Sequence, residues 1–171
     1  MALVFQYGSN TSTTRLNSDE RLRGDARDLG LVCTEMPFEL EFDVWSTGNA
    51  CATADIREGS GRPICGVLYA VPDYLICQET SGPRKSLDAI EGELYERRSI
   101  RVRRSATTPV AGDVITYTVR NPENALRTSI EYVSHIICGL KAHGAPDEYL
   151  AYVKERVIAN NHDIAVEVGT L

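Results

Sequence analysis

The sequence predicts an α+β fold: a mostly antiparallel, β-barrel-like sheet flanked by helices, with a C-terminal helical hairpin. Three observations carry this expectation. Strand-like patterns dominate the chain up to Val119, two segments of helical period follow it, and no repeat, low-complexity tract or Pro-rich linker interrupts the 171 residues. Strands first and helices after is the order of an α+β domain, and residues 1–171 are expected to form one domain.

Met1 to Tyr7 reads as a buried strand, closed by the turn formers Gly8, Ser9 and Asn10. Thr11 to Arg27 is polar and fits a short helix or a loop. Phe38, Leu40, Phe42 and Val44 alternate with Glu39, Glu41 and Asp43, the period of a strand with one wet face. Cys51 to Ile56 and Ile64 to Val71 read as strands joined through Gly59-Ser60-Gly61, hence a hairpin. Pro72 and Asp73 look like a helix start, and Ser86 to Glu91 fits a second short helix that Gly92 can stop. Leu94 to Val102 and Val114 to Val119 are rich in β-branched and aromatic residues, as strands are. Thr128 with Glu131 resembles a capping box. Ile130, Val133, Ile137 and Leu140 then recur at helical spacing until Gly144 ends the run. Pro146 suits a first helical turn, and Tyr149, Leu150, Val153 and Val157 continue the second helix of the hairpin.

The formal net charge of −6 argues against a nucleic-acid binder, which usually carries a basic face. The basic run Arg97, Arg98, Arg101, Arg103 and Arg104 is either a solvated strand face or a patch for an anionic substrate or partner. Met1 to Tyr7 has no basic n-region and no long apolar run, so it does not read as a signal peptide. No apolar stretch is long enough to span a bilayer, so no membrane partner is expected. The cysteines Cys33, Cys51, Cys65, Cys77 and Cys138 are odd in number and form no CxxC pair. Reduced, mostly buried thiols in a cytoplasmic protein are the expectation. His135, His143 and His162 join no metal-ligand spacing; His135 and His143 read as surface helix residues, and no metal is expected.

The familiar catalytic inventories are empty: there is no GxSxG, no phosphate loop and no HExxH. Two features remain. Tyr7-Gly8-Ser9-Asn10 ends a buried strand, where glycine admits close backbone approach and consecutive N–H groups can make an anion nest; an ordinary turn capped by Asn10 is the alternative. In Leu87-Asp88-Ala89-Ile90-Glu91-Gly92, Leu87 and Ile90 share an apolar stripe with Glu91 beside it. A carboxyl there can have a raised pKa, which suits a group that first accepts and later returns a proton; a plain surface glutamate is the alternative.

Taken together, these segments resemble the γ-glutamylcyclotransferase family, also called AIG2-like. Phe5-Gln6-Tyr7-Gly8-Ser9-Asn10 resembles its strand followed by Tyr-Gly-Ser-Asn, and Asp88-Ala89-Ile90-Glu91-Gly92 its Asp-x-x-Glu-Gly segment. Gly66-Val67-Leu68-Tyr69 and Asp113-Val114-Ile115-Thr116-Tyr117 are similar to two of its strands. Tyr132, Ile136-Ile137-Cys138-Gly139-Leu140-Lys141 and Gly144-Ala145-Pro146-Asp147-Glu148-Tyr149 resemble the helical hairpin of the vertebrate members. Two departures stand out: Thr11 replaces the usual Leu, and Tyr95 follows Glu91 by only four positions.

The resemblance implies intramolecular aminolysis of a γ-glutamyl amino acid or amine to 5-oxoproline, with Glu91 as the catalytic proton carrier. It implies substrate contacts from Tyr7, Gly8, Ser9, Asn10 and Tyr132, although core packing on an amphipathic helix would explain Tyr132 equally. Tyr95 and Tyr117 are further candidates for the lining. No cofactor is implied. The implied partner is a small γ-glutamyl molecule, with no nucleic acid and no membrane, and the chain is expected as a monomer or homodimer. Alternatives are removal of a γ-glutamyl protecting group from a biosynthetic intermediate, and a non-catalytic binding module of the same fold.

Overall fold

The computed structural model describes residues 1–77 and 85–171, apart from the side chains of Asn160 and His162, so the imidazole of His162 lies outside the described residues. In chain order the elements are β1 (Ala2–Gln6), a 3-10 turn at Ser9–Thr11, α1 (Thr13–Leu16), β2 (Arg27–Ser46), β3 (Cys51–Glu58), β4 (Arg62–Val71) and a 3-10 turn at Asp73–Leu75. Then come α2 (Leu87–Glu91), β5 (Tyr95–Ile100), β6 (Val102–Ser105), β7 (Thr108–Pro109) and β8 (Val114–Val119). The chain ends with α3 (Ile130–Ala142), α4 (Asp147–Asn160), a 3-10 turn at His162–Ile164 and α5 (Ala165–Thr170). The last turn and α5 have no counterpart in the sequence expectation.

Among the described residues one sheet holds every strand, in the order β5-β8-β1-β4-β2-β6-β7, with β3 attached to β2. All pairs are antiparallel except β1 with β8. β1 is central because its apolar run is wholly buried at Val4 and Phe5. On one face Phe5, Phe42, Ile64 and Leu68 pack with Val133, Ile136 and Ile137 of α3 and Val153 and Val157 of α4. On the other, Val4, Val67 and Tyr69 pack with Leu16, Leu22, Leu75 and Leu87. The second core anchors the short segments that carry the site.

Several expectations are corrected. β3 and β4 do not pair as a hairpin: both pair with β2, and Phe38 lies opposite Glu58 on one side and Arg62 on the other. Gly59-Ser60-Gly61 still turns the chain, but it carries the chain across a 20-residue strand rather than back along β3. The wet face of β2 fails at Asp43, because a register shift between Phe42 and Val44 turns it inward, where Arg57 pairs with it. The expected Leu94–Val102 strand is divided at Arg101, β5 pairing with β8 and β6 with β2. Those two partners stand apart in the sheet, so this crossing curls it. The cap of α3 is Ser129, whose side chain accepts from Tyr132 N, because Thr128 N donates instead to Asn161 Oδ1.

The cysteine expectation also changes. The β2–β4 register sets Cys33 directly opposite Cys65, with Cα atoms 3.9 Å apart, and the two form a disulfide. A cross-strand pair 32 residues apart in sequence leaves no spacing motif to read. Cys51 is a buried thiol, while Cys77 and Cys138 are exposed. Arg97, Arg98 and Arg101 pair with Asp88, Glu96 and Glu35, and Arg104 donates to the Leu29 carbonyl, so four arginines of the basic run engage neighbours within the chain. Among the described residues no helix is long and apolar enough to cross a membrane.

Strand β3 borders a seam where the barrel does not close by backbone pairing. Tyr95 Oη donates to the Ala54 carbonyl at 3.0 Å, and Ala54 N donates to Tyr132 Oη at 3.0 Å. Farther along, Val119 N donates to Asp55 Oδ1 at 2.9 Å. A cavity of about 270 Å³ opens beside Asp55, Arg57, Ile100 and Thr118.

Candidate functional site

Glu91 is the last residue of α2. Ser86 caps that helix by accepting from Ala89 N, and Gly92 ends it with φ 70°, a conformation that favours glycine. Leu87 sits in the second core, while Asp88 accepts from Tyr117 Oη at 2.6 Å and pairs with Arg97. Both ends of this single turn are therefore tied down, and Glu91 is carried to the wall of a pocket of about 940 Å³.

Tyr7 to Asn10 lie at the end of β1 and in the turn after it. Thr11 N donates to the Gly8 carbonyl and Ser12 N to the Ser9 carbonyl, which closes the turn. Helix α3 rests on this turn at Gly139, where a Cβ would lie 2.4 Å from the Thr11 carbonyl carbon. Asn10 is the link to α2: its Nδ2 donates to Glu91 Oε1 at 3.1 Å and, weakly, to Gln6 Oε1 at 3.4 Å. Tyr132 reaches the same place from α3, lines the pocket, and has its hydroxyl 3.2 Å from where a Gly8 Cβ would stand.

Sequence motifs 81 residues apart are thus joined by one hydrogen bond between Asn10 and Glu91. Ser9 is buried and accepts from Arg15 Nε at 3.2 Å. Tyr7, Gly8, Ser9 and Asn10 are all brought near the pocket but none of the four forms its wall, and the Tyr7 hydroxyl donates to the Tyr117 carbonyl at 2.6 Å. Tyr95 and Tyr117 stand behind the lining, their hydroxyls engaged with Ala54 and Asp88. His135 lines the pocket half-buried. His143 is no free surface residue: its Nε2 lies 2.6 Å from Asp28 Oδ2.

Two arginines that sequence reasoning missed complete the site. Arg15 donates through Nη2 to Asn49 Oδ1 at 2.6 Å, and Arg21 donates through Nη1 to Asn10 Oδ1 at 3.1 Å. Both line the pocket. Their stretch has no periodicity, so only its polar composition was visible in the sequence.

Burial raises the Glu91 carboxyl above its usual pKa, against the opposing pull of Arg21, the Gln6 and Asn10 amides and Arg15. Burial and the two arginines lower His135. Burial also raises the Tyr132 phenol, which keeps it protonated at neutral pH. Among the described residues no group of three or more His, Cys, Asp and Glu side chains is gathered as a metal site would need. The arrangement offers a buried carboxyl, Glu91, able to hold or release a proton at the wall of a roomy polar pocket, with Arg15 and Arg21 beside it.

Comparison with known proteins agrees with this architecture. A solved structure named gamma-glutamyl cyclotransferase superposes with a TM-score of 0.74 at 24% identity, over 90% of this chain and 86% of that one. An uncharacterized protein from Homo sapiens matches equally well, with a TM-score of 0.74 at 25% identity and the same coverage. YkqA from Bacillus subtilis gives 0.68 at 18% identity, over 91% of this chain and 54% of that one. Among curated protein sequences none matches. The profile of the AIG2-like family matches residues 64–153, just over half of the chain and the part that contains Glu91 and Tyr132. The chain belongs to the AIG2-like family.

Proposed function

We propose that the protein is a γ-glutamyl cyclotransferase that releases 5-oxoproline and a free amine or amino acid from a γ-glutamyl compound, with Glu91 as its proton carrier. The observation that carries this reading is the Glu91 carboxyl at the pocket wall, raised by burial and bonded to Asn10 of the Tyr-Gly-Ser-Asn turn. The substrate's α-ammonium group must lose a proton before it is a nucleophile, and the Glu91 carboxylate accepts it. The α-nitrogen then attacks the γ-carbonyl carbon to close a five-membered ring. As the bond from that carbon to the leaving nitrogen breaks, Glu91 returns the proton to the departing nitrogen. The ring nitrogen then gives up its second proton through the regenerated Glu91 carboxylate to the released amine, so two protons pass in all from the α-nitrogen to the leaving nitrogen, and no oxidant or second substrate is consumed.

Because the nucleophile belongs to the substrate, proximity supplies much of the rate, roughly 7 kcal/mol or more when well oriented. Proton transfer through Glu91 adds about 10²–10⁴-fold. In this reading the Tyr7–Asn10 turn, packed behind the pocket wall beside Tyr132, is the anion site for the developing oxyanion or for the substrate's α-carboxylate, reached once substrate displaces the side chains in front of it. A pocket of about 940 Å³ lies near the upper end of the roughly 300–1,000 Å³ typical of small-molecule sites. That volume favours a second reading in which the leaving group is a larger biosynthetic intermediate protected by a γ-glutamyl group.

The test is to incubate the protein with γ-glutamyl dipeptides, γ-glutamyl amines and glutathione, and to detect 5-oxoproline by mass spectrometry. Glu91→Gln is expected to lower turnover by at least about 10²-fold. Product formed at a near wild-type rate by that variant would overturn the assignment of Glu91.

A further inference from the structure

Arg21 takes no part in the proton transfer, yet its placement decides which way the Asn10 amide points. A guanidinium carries only donors, so the atom of Asn10 that faces Arg21 Nη1 at 3.1 Å must be the oxygen. The NH₂ group is thereby turned to the other side, where Nδ2 donates to Glu91 Oε1 at 3.1 Å. A flipped amide would set NH₂ against guanidinium and oxygen against carboxylate, two repulsive contacts in place of two bonds. Arg21 is half-buried at the pocket wall, where its charge is poorly screened.

We infer that Arg21 is a positioning residue: by fixing the Asn10 amide it presents a hydrogen-bond donor to Glu91 and so favours the form of that carboxyl that accepts a proton. The inference rests on the reading of Glu91 as the proton carrier. Other groups face Glu91 as well. Gln6 and Tyr7 approach from β1 and Arg15 from α1. Tyr95 approaches from β5, and Tyr132 with the nearby Glu131 and His135 from α3. Asp19, Glu20 and Lys85 complete the charged lining. All of these stay in place when Arg21 alone is changed, and Arg21 is the strongest of the groups that hold the carboxyl down against burial.

The experiment compares wild type, Arg21→Gln and Arg21→Lys in two readouts. The first is the pH profile of kcat/KM for 5-oxoproline formation. The second is carboxyl-¹³C NMR titration of Glu91, its resonance identified by loss in Glu91→Gln, which needs no turnover. Arg21→Gln is expected to move the acid limb and the NMR midpoint upward by about one pH unit. Arg21→Lys, which keeps the charge, is expected to bring both most of the way back. A merely structural role would lower the plateau and leave limb and midpoint where they are; an unmoved midpoint overturns the inference. A shifted midpoint in a protein that makes no 5-oxoproline upholds the link from Arg21 to Glu91 and overturns the proposed reaction instead.

Discussion

One hydroxyl, that of Tyr132, touches three parts of the molecule. It accepts from Ala54 N on β3, belongs to α3, and packs against Gly8 in the turn after β1. Removing it leaves a buried backbone N–H without an acceptor, and such groups cost about 1–3 kcal/mol. Tyr132→Phe is therefore expected to lower stability by that order in urea denaturation, although the ring still fills its space. An unchanged midpoint would mean that water takes over the acceptor role. Core packing and pocket lining, set against each other for Tyr132 in the sequence, are both satisfied by the same side chain. Glu91 and the Tyr-Gly-Ser-Asn turn were legible because short motifs carried them. Arg15 and Arg21 were not, because a long polar side chain in an aperiodic segment gives no sign of which way it reaches.

Helices α2 and α3 show why local pattern found elements better than partners. Each was read from spacing and caps within one stretch of chain, and the structure keeps α3 within a residue or two of its expected limits. The hairpin from Cys51 to Val71 was misread because nothing local says that β2 is long enough to serve both strands. Contact between α3 and the Ser9–Thr11 turn is similarly non-local, and it depends on Gly139 having no side chain. A methyl group there would meet Thr11 and Ser12 backbone atoms at 2.4 to 2.6 Å. Backbone yields less readily than a side chain, so Gly139→Ala is expected to cost about 1–3 kcal/mol despite alanine's better helix propensity. Thermal melting would check this, and a rise in Tm would show that α3 can move away from the turn.

Across the whole molecule, curvature of the sheet was foreseeable from its many strands, but the means of closure were not. Asp55 holds one point of the seam by accepting from Val119 N, and burial raises its carboxyl to about 6. The folded state therefore binds this proton more tightly than the unfolded chain does. Its contribution to stability is full below the unfolded pKa of about 3.9 and is lost as the pH rises through about 6. Asp55→Asn keeps an acceptor for Val119 N without the charge. It is expected to gain on the order of 2 kcal/mol over wild type at pH 7.5 relative to pH 4, read as the difference between two denaturation curves. Equal effects at both pH values would show that the native carboxyl titrates normally. The seam has a consequence in the crowded solution where the protein must stay dispersed. A strand with an unpaired side is a template on which another molecule's strand can assemble. Here Ala54 on β3 spends both its N–H and its carbonyl on tyrosine hydroxyls, and β5 at the end of the sheet presents the exposed charges of Arg97 and Arg98. The tyrosines that shape the site thus also deny a neighbouring chain its first hydrogen bonds.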